Sequence, residues 1–275
     1  MKIELADSYG FCFGVKRAIR IAENTKDSAT YGELIHNAEE INRLKEHFNV
    51  KTLNTMQDLE NENSIIIRTH GITKKDLDTF KSQNKKIIDA TCPFVSKPQN
   101  IVEKMSKEGY DIVIFGDKNH PEVKGIMSYA LKNVFVILST DELIDKKISN
   151  KVAVVSQTTK KVEEFAKIVS FLITRSKEVR VFNTICNATL ENQKAVEKLA
   201  KKADVMIIIG GKNSSNTKQL YLISKQICLD SYHIENENEL KKEWFKGKNL
   251  CGISAGASTP DWIIANVSNK IKELS

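Results

Sequence analysis

Three cysteines constrain this chain most strongly. Cys12, Cys92 and Cys186 each follow an apolar β-type run and each precede a stretch of helical sequence. They stand 80 and 94 positions apart, and 89 residues follow the last of them. The helical stretches are 15–23, 93–107 and 188–202. A pattern that returns at such an interval marks repeated supersecondary units, here each the size of a small α/β layer.

The order inside each unit is also shared. A first strand ends in a polar loop that holds His36 and Asn37 in the first unit, and His120, Pro121 and Glu122 in the second. In the third unit that loop holds Ser214, Ser215 and Asn216. A later strand ends in a second polar loop, holding His70 and Gly71, then Thr158 and Thr159, then Gly256 and Ser258. A helix then leads to the next strand and cysteine. For the third unit the only strand left is at residues 3–7, so the chain is expected to close on itself.

Continuous β-branched runs such as 65–67 and 205–209 predict strands covered on both faces, as in parallel sheets between helices. In open α/β sheets ligands bind beyond the carboxyl ends of the strands, where all these cysteines and polar loops fall. The expected fold is therefore α/β, with three pseudo-symmetric lobes in a trefoil-like arrangement around one central site. The expected divisions are 13–91, 92–185 and 186–275, the last completed by 1–12. Pro93, Pro121 and Pro260 each fit the first position of a helix, where a missing N–H costs nothing. The stretches 60–63 and 235–239 read as polar loops without chemistry.

A length of 275 residues, 41% hydrophobic and 28% charged, is that of an ordinary globular protein. No apolar run approaches the roughly 20 residues that cross a bilayer. The opening residues alternate and carry Glu4 and Asp7, unlike a signal peptide. A cytoplasmic protein with no membrane partner is expected. The net charge of +7 comes from lysines interleaved with acids, without interleaved aromatics, so it predicts no nucleic-acid partner. It does suit an anionic substrate or an acidic electron donor. Five cysteines, an odd number with no Cys-x-x-Cys pair, argue against a disulfide framework or a zinc ribbon.

At helix starts the dipole favours the thiolates of Cys12, Cys92 and Cys186. Three thiolates without a nearby fourth soft ligand suggest an iron–sulfur cluster with one iron open to substrate. Zinc on three cysteines and a histidine is the alternative, although such sites usually show tight local spacing. Cys228 and Cys251 lie in apolar stretches and read as core residues. The polar loops supply His36, His70, His120, Thr158, Ser214, Ser215, Asn216 and Ser258, all hydrogen-bond donors and none acidic. Such a lining suits a phosphate or diphosphate. Glu122, two residues after His120, is the exception and the candidate general acid. His47 and His233 have no such context and read as ordinary histidines.

The residues quoted so far lie in a longer series of motifs. They include Gly10-Phe11-Cys12-Phe13-Gly14-Val15, His36-Asn37, Thr69-His70-Gly71, Asp89-Ala90-Thr91-Cys92-Pro93 and His120-Pro121-Glu122. Ser156-Gln157-Thr158-Thr159, Thr184-Ile185-Cys186-Asn187-Ala188-Thr189, Lys212-Asn213-Ser214-Ser215-Asn216 and Ala255-Gly256-Ala257-Ser258 follow in order. Together they cover nearly the whole chain, and in this series the sequence resembles the 4-hydroxy-3-methylbut-2-enyl diphosphate reductase family. The resemblance implies a [4Fe–4S] cluster on Cys12, Cys92 and Cys186, its fourth iron open to the substrate hydroxyl. It implies that the three histidines, Thr158 and the Ser/Asn/Ser groups hold an allylic diphosphate, with Glu122, Thr158 and His120 carrying the proton path. Reduced ferredoxin or flavodoxin would supply the electrons, and the protein would be a monomer or weak dimer. Two departures touch no ligand: Ser8-Tyr9 before the first motif, and Pro98 early in the helix after Cys92. A redox-neutral hydro-lyase, needing no electron donor, and a non-enzymatic metal sensor, needing no Glu122, are the competing classes.

Overall fold

The computed structural model of the chain describes residues 1–83 and 85–274. The chain opens with β1 (Lys2–Leu5) and α1 (Phe13–Glu23). Next come β2 (Ser28–Tyr31), α2 (Ala38–Phe48), β3 (Val50–Leu53), β4 (Ser64–Ile67), α3 (Lys74–Ser82) and β5 (Lys86–Asp89). The middle of the chain forms α4 (Pro93–Lys107), β6 (Asp111–Phe115), α5 (Pro121–Met127), β7 (Val134–Ile137), β8 (Lys151–Ser156), α6 (Val162–Ile173) and β9 (Glu178–Val181). The rest forms α7 (Asn187–Ala200), β10 (Val205–Ile209), α8 (Ser215–Ile227), β11 (Ser231–Ile234), β12 (Leu250–Ala255) and α9 (Asp261–Leu274).

These strands build three four-stranded sheets with one order: β3-β2-β4-β5, β7-β6-β8-β9 and β11-β10-β12-β1. Every strand pairing in them is parallel. The outer strand of the third sheet is the N-terminal one, with Lys2 opposite Leu250 and Leu5 opposite Ile253. The protein is therefore α/β with the same sheet written three times, and the third copy is completed from the start of the chain.

The chain packs as two compact units. Residues 1–16, 35–47 and 187–275 form one, which holds the sheet of β1, β10, β11 and β12; residues 17–34 and 48–186 form the other, with the remaining two sheets. In the first unit, Val205, Ile207 and Ile209 of β10 pack with Ile263, Val267 and Ile271 of α9. The alternate residues Met206 and Ile208 pack with Val196 and Leu199 of α7 and Leu220 of α8. Side chains alternate across a strand, so covering both faces makes the whole run apolar. Each such burial contributes about 1.5–3 kcal/mol. The second unit repeats the arrangement. Ile112 and Ile114 of β6 meet Val102 and Met105 of α4 and Val123 and Ile126 of α5, while Ile65 and Ile67 of β4 meet Phe80 of α3.

Pro93 and Pro121 each open their helix after an N-cap residue, Cys92 and His120 respectively. Pro260 differs from expectation. The last helix begins at Asp261, and Pro260 stands in the cap position, its carbonyl accepting from the Ile264 N–H at 3.4 Å. α1 starts at Phe13, two residues before the apolar periodicity announces it. Pro98 lies buried inside α4, which runs on to Lys107. No helix among the described residues is long and apolar enough to cross a membrane.

Candidate functional site

The three cysteines of the repeat share one local geometry. The backbone N–H of Cys12 donates to the Ala257 carbonyl at 3.2 Å, that of Cys92 to Thr69 at 3.0 Å and that of Cys186 to Thr158 at 3.0 Å. Each acceptor lies two residues past the end of a strand, namely β12, β4 and β8. The repeat therefore extends beyond the sheets into the loops. Each of these cysteines directly precedes a helix and is partly exposed, whereas Cys228 and Cys251 are buried. Burial pushes the Cys251 thiol up to about 12, so it cannot supply a thiolate near neutrality. Among the described cysteines, Cys12, Cys92 and Cys186 are the three that are not buried.

In the second unit, Glu122 is held at the start of α5 with 1% of its surface exposed. Its Oε1 accepts the Thr158 backbone N–H at 2.7 Å, and its Oε2 meets the Thr158 hydroxyl at 2.8 Å. Burial pushes its carboxyl up to about 7, against the opposing pull of the two Thr158 hydrogen bonds and the Lys160 charge. His120 caps the same helix, its Nδ1 accepting the Glu122 N–H at 3.2 Å. That bond leaves the proton of the neutral ring on Nε2. The His70 ring stands edge-on to the His120 ring, with centroids 5.4 Å apart. His70, His120, Glu122 and Thr158 are thus brought together, with Cys186 bonded to Thr158.

The first unit holds the other polar loops. His36 precedes Asn37, whose side chain accepts the Glu40 N–H and so caps α2. The Ser258 hydroxyl donates to the His36 carbonyl at 3.0 Å. A Cβ at Gly211 would lie 2.5 Å from that same carbonyl, so only glycine allows the loop before Ser214 to pass so close to His36. Ser214 caps α8 by accepting the Thr217 N–H, and Ser215 and Asn216 form its first turn, whose N–H groups favour anions. Both polar side-chain atoms of Asn216 are buried without a hydrogen-bond partner in the protein. Such a group costs about 1–3 kcal/mol, and an oxyanion ligand would accept from its Nδ2. His36, Ser214, Ser215, Asn216 and Ser258 are accordingly all present around one loop.

Several supporting residues carried no signal in the sequence. Arg17 donates to the carbonyls of Asp89 and Thr91, at 3.1 and 3.2 Å, and so braces the turn into Cys92. Gln157 is fully buried; its Oε1 accepts the Asp117 N–H at 3.0 Å and its amide donates to Thr159. Glu235 and Glu239, read from sequence as an inert loop, hold Lys212 through its backbone N–H at 2.7 Å and its ammonium at 3.0 Å. Side chains that reach distant backbone leave no periodic trace. Only the position of Gln157 within a motif could have pointed to it.

An α/β protein with one parallel sheet order repeated three times, a buried carboxyl protonatable near neutrality and partly exposed cysteines at helix starts has the features of an enzyme. The chain belongs to the family described as LytB protein, whose model matches residues 3–272. It is 71% identical over 274 residues to the 4-hydroxy-3-methylbut-2-enyl diphosphate reductase of Campylobacter hominis, covering 100% of both chains. It is 64% identical over 274 residues to the enzyme of that name from Campylobacter jejuni subsp. jejuni, covering 100% of this chain and 99% of the other. A solved (E)-4-hydroxy-3-methyl-but-2-enyl diphosphate reductase, described as the terminal enzyme of the non-mevalonate pathway, matches with a TM-score of 0.71 and 43% identity. That match covers 98% of this chain and 99% of the solved one. The reductase structure from Plasmodium falciparum matches with a TM-score of 0.91 and 28% identity, covering 97% and 86%.

Proposed function

We propose that this protein reduces 4-hydroxy-3-methylbut-2-enyl diphosphate to isopentenyl and dimethylallyl diphosphates. Two electrons and two protons enter, the allylic C–O bond breaks and water leaves. The observation that carries this reading is Glu122, a buried carboxyl that burial keeps protonatable near neutrality, bound on both oxygens by Thr158. The family relationship names the substrate class.

Cys12, Cys92 and Cys186 would hold a [4Fe–4S] cluster, a fit supported by their common loop geometry and partial exposure. When bound, the cluster supplies the electrons and a Lewis-acidic iron open to the substrate hydroxyl. The chain's own residues supply the rest. The Thr158 N–H donates to Oε1 and its hydroxyl to Oε2 of the carboxylate; with Oε1 so occupied, a proton taken up by Glu122 would go to Oε2, and the hydroxyl would turn to accept it. The hydroxyl is then free to donate its own proton outward, toward the leaving oxygen. Hydroxide leaves poorly, so a positioned proton lowers the barrier. His120, its proton on Nε2, and His70 are further donors for that path and for the phosphates, with His36, Ser214, Ser215, Asn216 and Ser258 completing the diphosphate contacts. Fixing the diphosphate orients the reacting carbon.

The three-lobe division at 13–91, 92–185 and 186–275 with 1–12 belongs to the same reading and is supported by the repeated sheet order. So does a soluble acidic electron donor, reduced ferredoxin or flavodoxin, acting on a cytoplasmic monomer or weak dimer. The test is anaerobic turnover of the hydroxymethylbutenyl diphosphate by cluster-loaded protein, with and without a chemical reductant. Product that requires the reductant supports the reductase. Product without it establishes the hydro-lyase instead, and no product in either case from loaded protein refutes the substrate.

A further inference from the structure

His233 reads from sequence as an ordinary histidine, yet it hydrogen-bonds the start of the loop that carries Ser214, Ser215 and Asn216. It is on β11, opposite Ile208 of β10. Its Nε2 lies 2.8 Å from the carbonyl of Gly210, the first residue of that loop. A carbonyl only accepts, so Nε2 carries the proton and donates it. The Gly210 N–H donates to the neighbouring Ile234 carbonyl at 2.9 Å. Both polar groups of one peptide-flanking residue are therefore tied to β11, and Gly210 has a φ of +147, a conformation that a side chain resists.

The same strand end holds the next part of the loop. Lys212 donates through its ammonium to the His233 carbonyl at 2.5 Å and pairs with Glu239 at 3.0 Å. Its backbone N–H donates to Glu235 at 2.7 Å, and Glu239 in turn accepts the Glu235 N–H at 2.6 Å. On its other side the His233 ring faces Tyr221 of α8, with centroids 5.8 Å apart. α8 is the helix whose first turn contains Ser215 and Asn216. His233 thus touches the loop at its start and the helix that the loop feeds.

We propose that His233 is a positioning residue for diphosphate binding, setting the Gly210 peptide and through it the presentation of Ser214, Ser215 and Asn216. This rests on the reading that those three residues bind the diphosphate. Desolvation holds the imidazole below its ordinary value, so the neutral donor form persists at physiological pH. The remaining ties from Ile234, Glu235 and Glu239 keep the loop in place without the imidazole. The change expected is therefore in precision, not in folding.

The test uses cluster-loaded enzyme with His233→Leu, His233→Gln and Asn216→Leu, measuring KM, kcat and competitive inhibition by inorganic diphosphate. His233→Leu removes the donor, and KM and the inhibition constant are expected to rise together by about three- to tenfold with kcat within twofold. His233→Gln places an amide N–H near the position of Nε2 and is expected to restore most of that loss. A His233→Leu enzyme with unchanged KM, or a glutamine variant no better than leucine, overturns the proposal. Asn216→Leu separates the two levels: if it leaves diphosphate inhibition unchanged, the underlying reading of the loop fails as well.

Discussion

Glu122 and Thr158 form a closed pair, 36 positions apart in sequence: the backbone and side chain of the threonine occupy one carboxylate oxygen each, at 2.7 and 2.8 Å. The pair fixes which oxygen can carry the proton, and it does so in a place almost without solvent. Replacing Glu122 by Gln keeps the size and one acceptor oxygen while removing the transferable proton. The expected result for Glu122→Gln is intact cluster content and substrate binding, with turnover lowered by about a hundred- to ten-thousandfold. Near-normal kcat in a single-turnover assay would remove Glu122 from the proton path.

The same carboxyl makes activity and stability depend on pH in related ways. With its value raised from 4.5 to about 7, the acid form that the proposed donation requires is lost as pH rises through about 7, and kcat should fall there. For stability, the folded state favours the protonated form. Its contribution is fully present below about 4.5, declines as pH rises to about 7 and is absent above, a difference on the order of 3 kcal/mol. Glu122→Gln should therefore melt progressively higher than the parent protein between pH 5 and 8. A constant difference across that range would contradict the raised value.

The cysteines should divide by their surroundings. Cys92→Ser is expected to lose the cluster, read as iron and sulfide per chain after anaerobic reconstitution. Cys251→Ala, in the first unit's buried core, should keep full iron content at a stability cost of about 1 kcal/mol from the small cavity. Full loading of the Cys92 variant would break the three-thiolate assignment.

Asn216 predicts opposite signs for stability and binding. Its amide is buried with no partner in the protein, so Asn216→Leu removes an unsatisfied polar group and should leave the melting temperature unchanged or higher. Substrate KM should nevertheless rise by about ten- to a hundredfold, since a buried donor to an anion is lost. A variant that melts markedly lower with unchanged KM would show that the amide is structural.

Much of this was legible because certain residues carry a pattern. The run 205–209 reads as a strand covered twice since all five side chains are apolar, and β10 is flanked by α9 on one side and by α7 and α8 on the other. Cys12, Cys92 and Cys186 stand apart from Cys228 and Cys251 because they recur after equivalent strands. What stayed hidden are contacts with neither period nor local motif. Arg17 reaches the carbonyls of Asp89 and Thr91 over more than 70 positions, and nothing near it in sequence encodes that reach. His233 reads as ordinary in the sequence because it shares no repeated loop position; only the pairing of β11 with β10 brings it behind Gly210.

The pairing of β1 with β12 has a consequence for how the protein is made. Lys2 finds its register partner at Leu250, so β1 must wait until all the chain between them has been translated. Until then β1 has no strand to pair with and the turn into Cys12 lacks the Ala257 carbonyl that anchors it. Closing so long a loop is slow compared with forming local contacts. The two cysteines of the second unit can thus reach their places before β12 is made, while Cys12 can do so only after it.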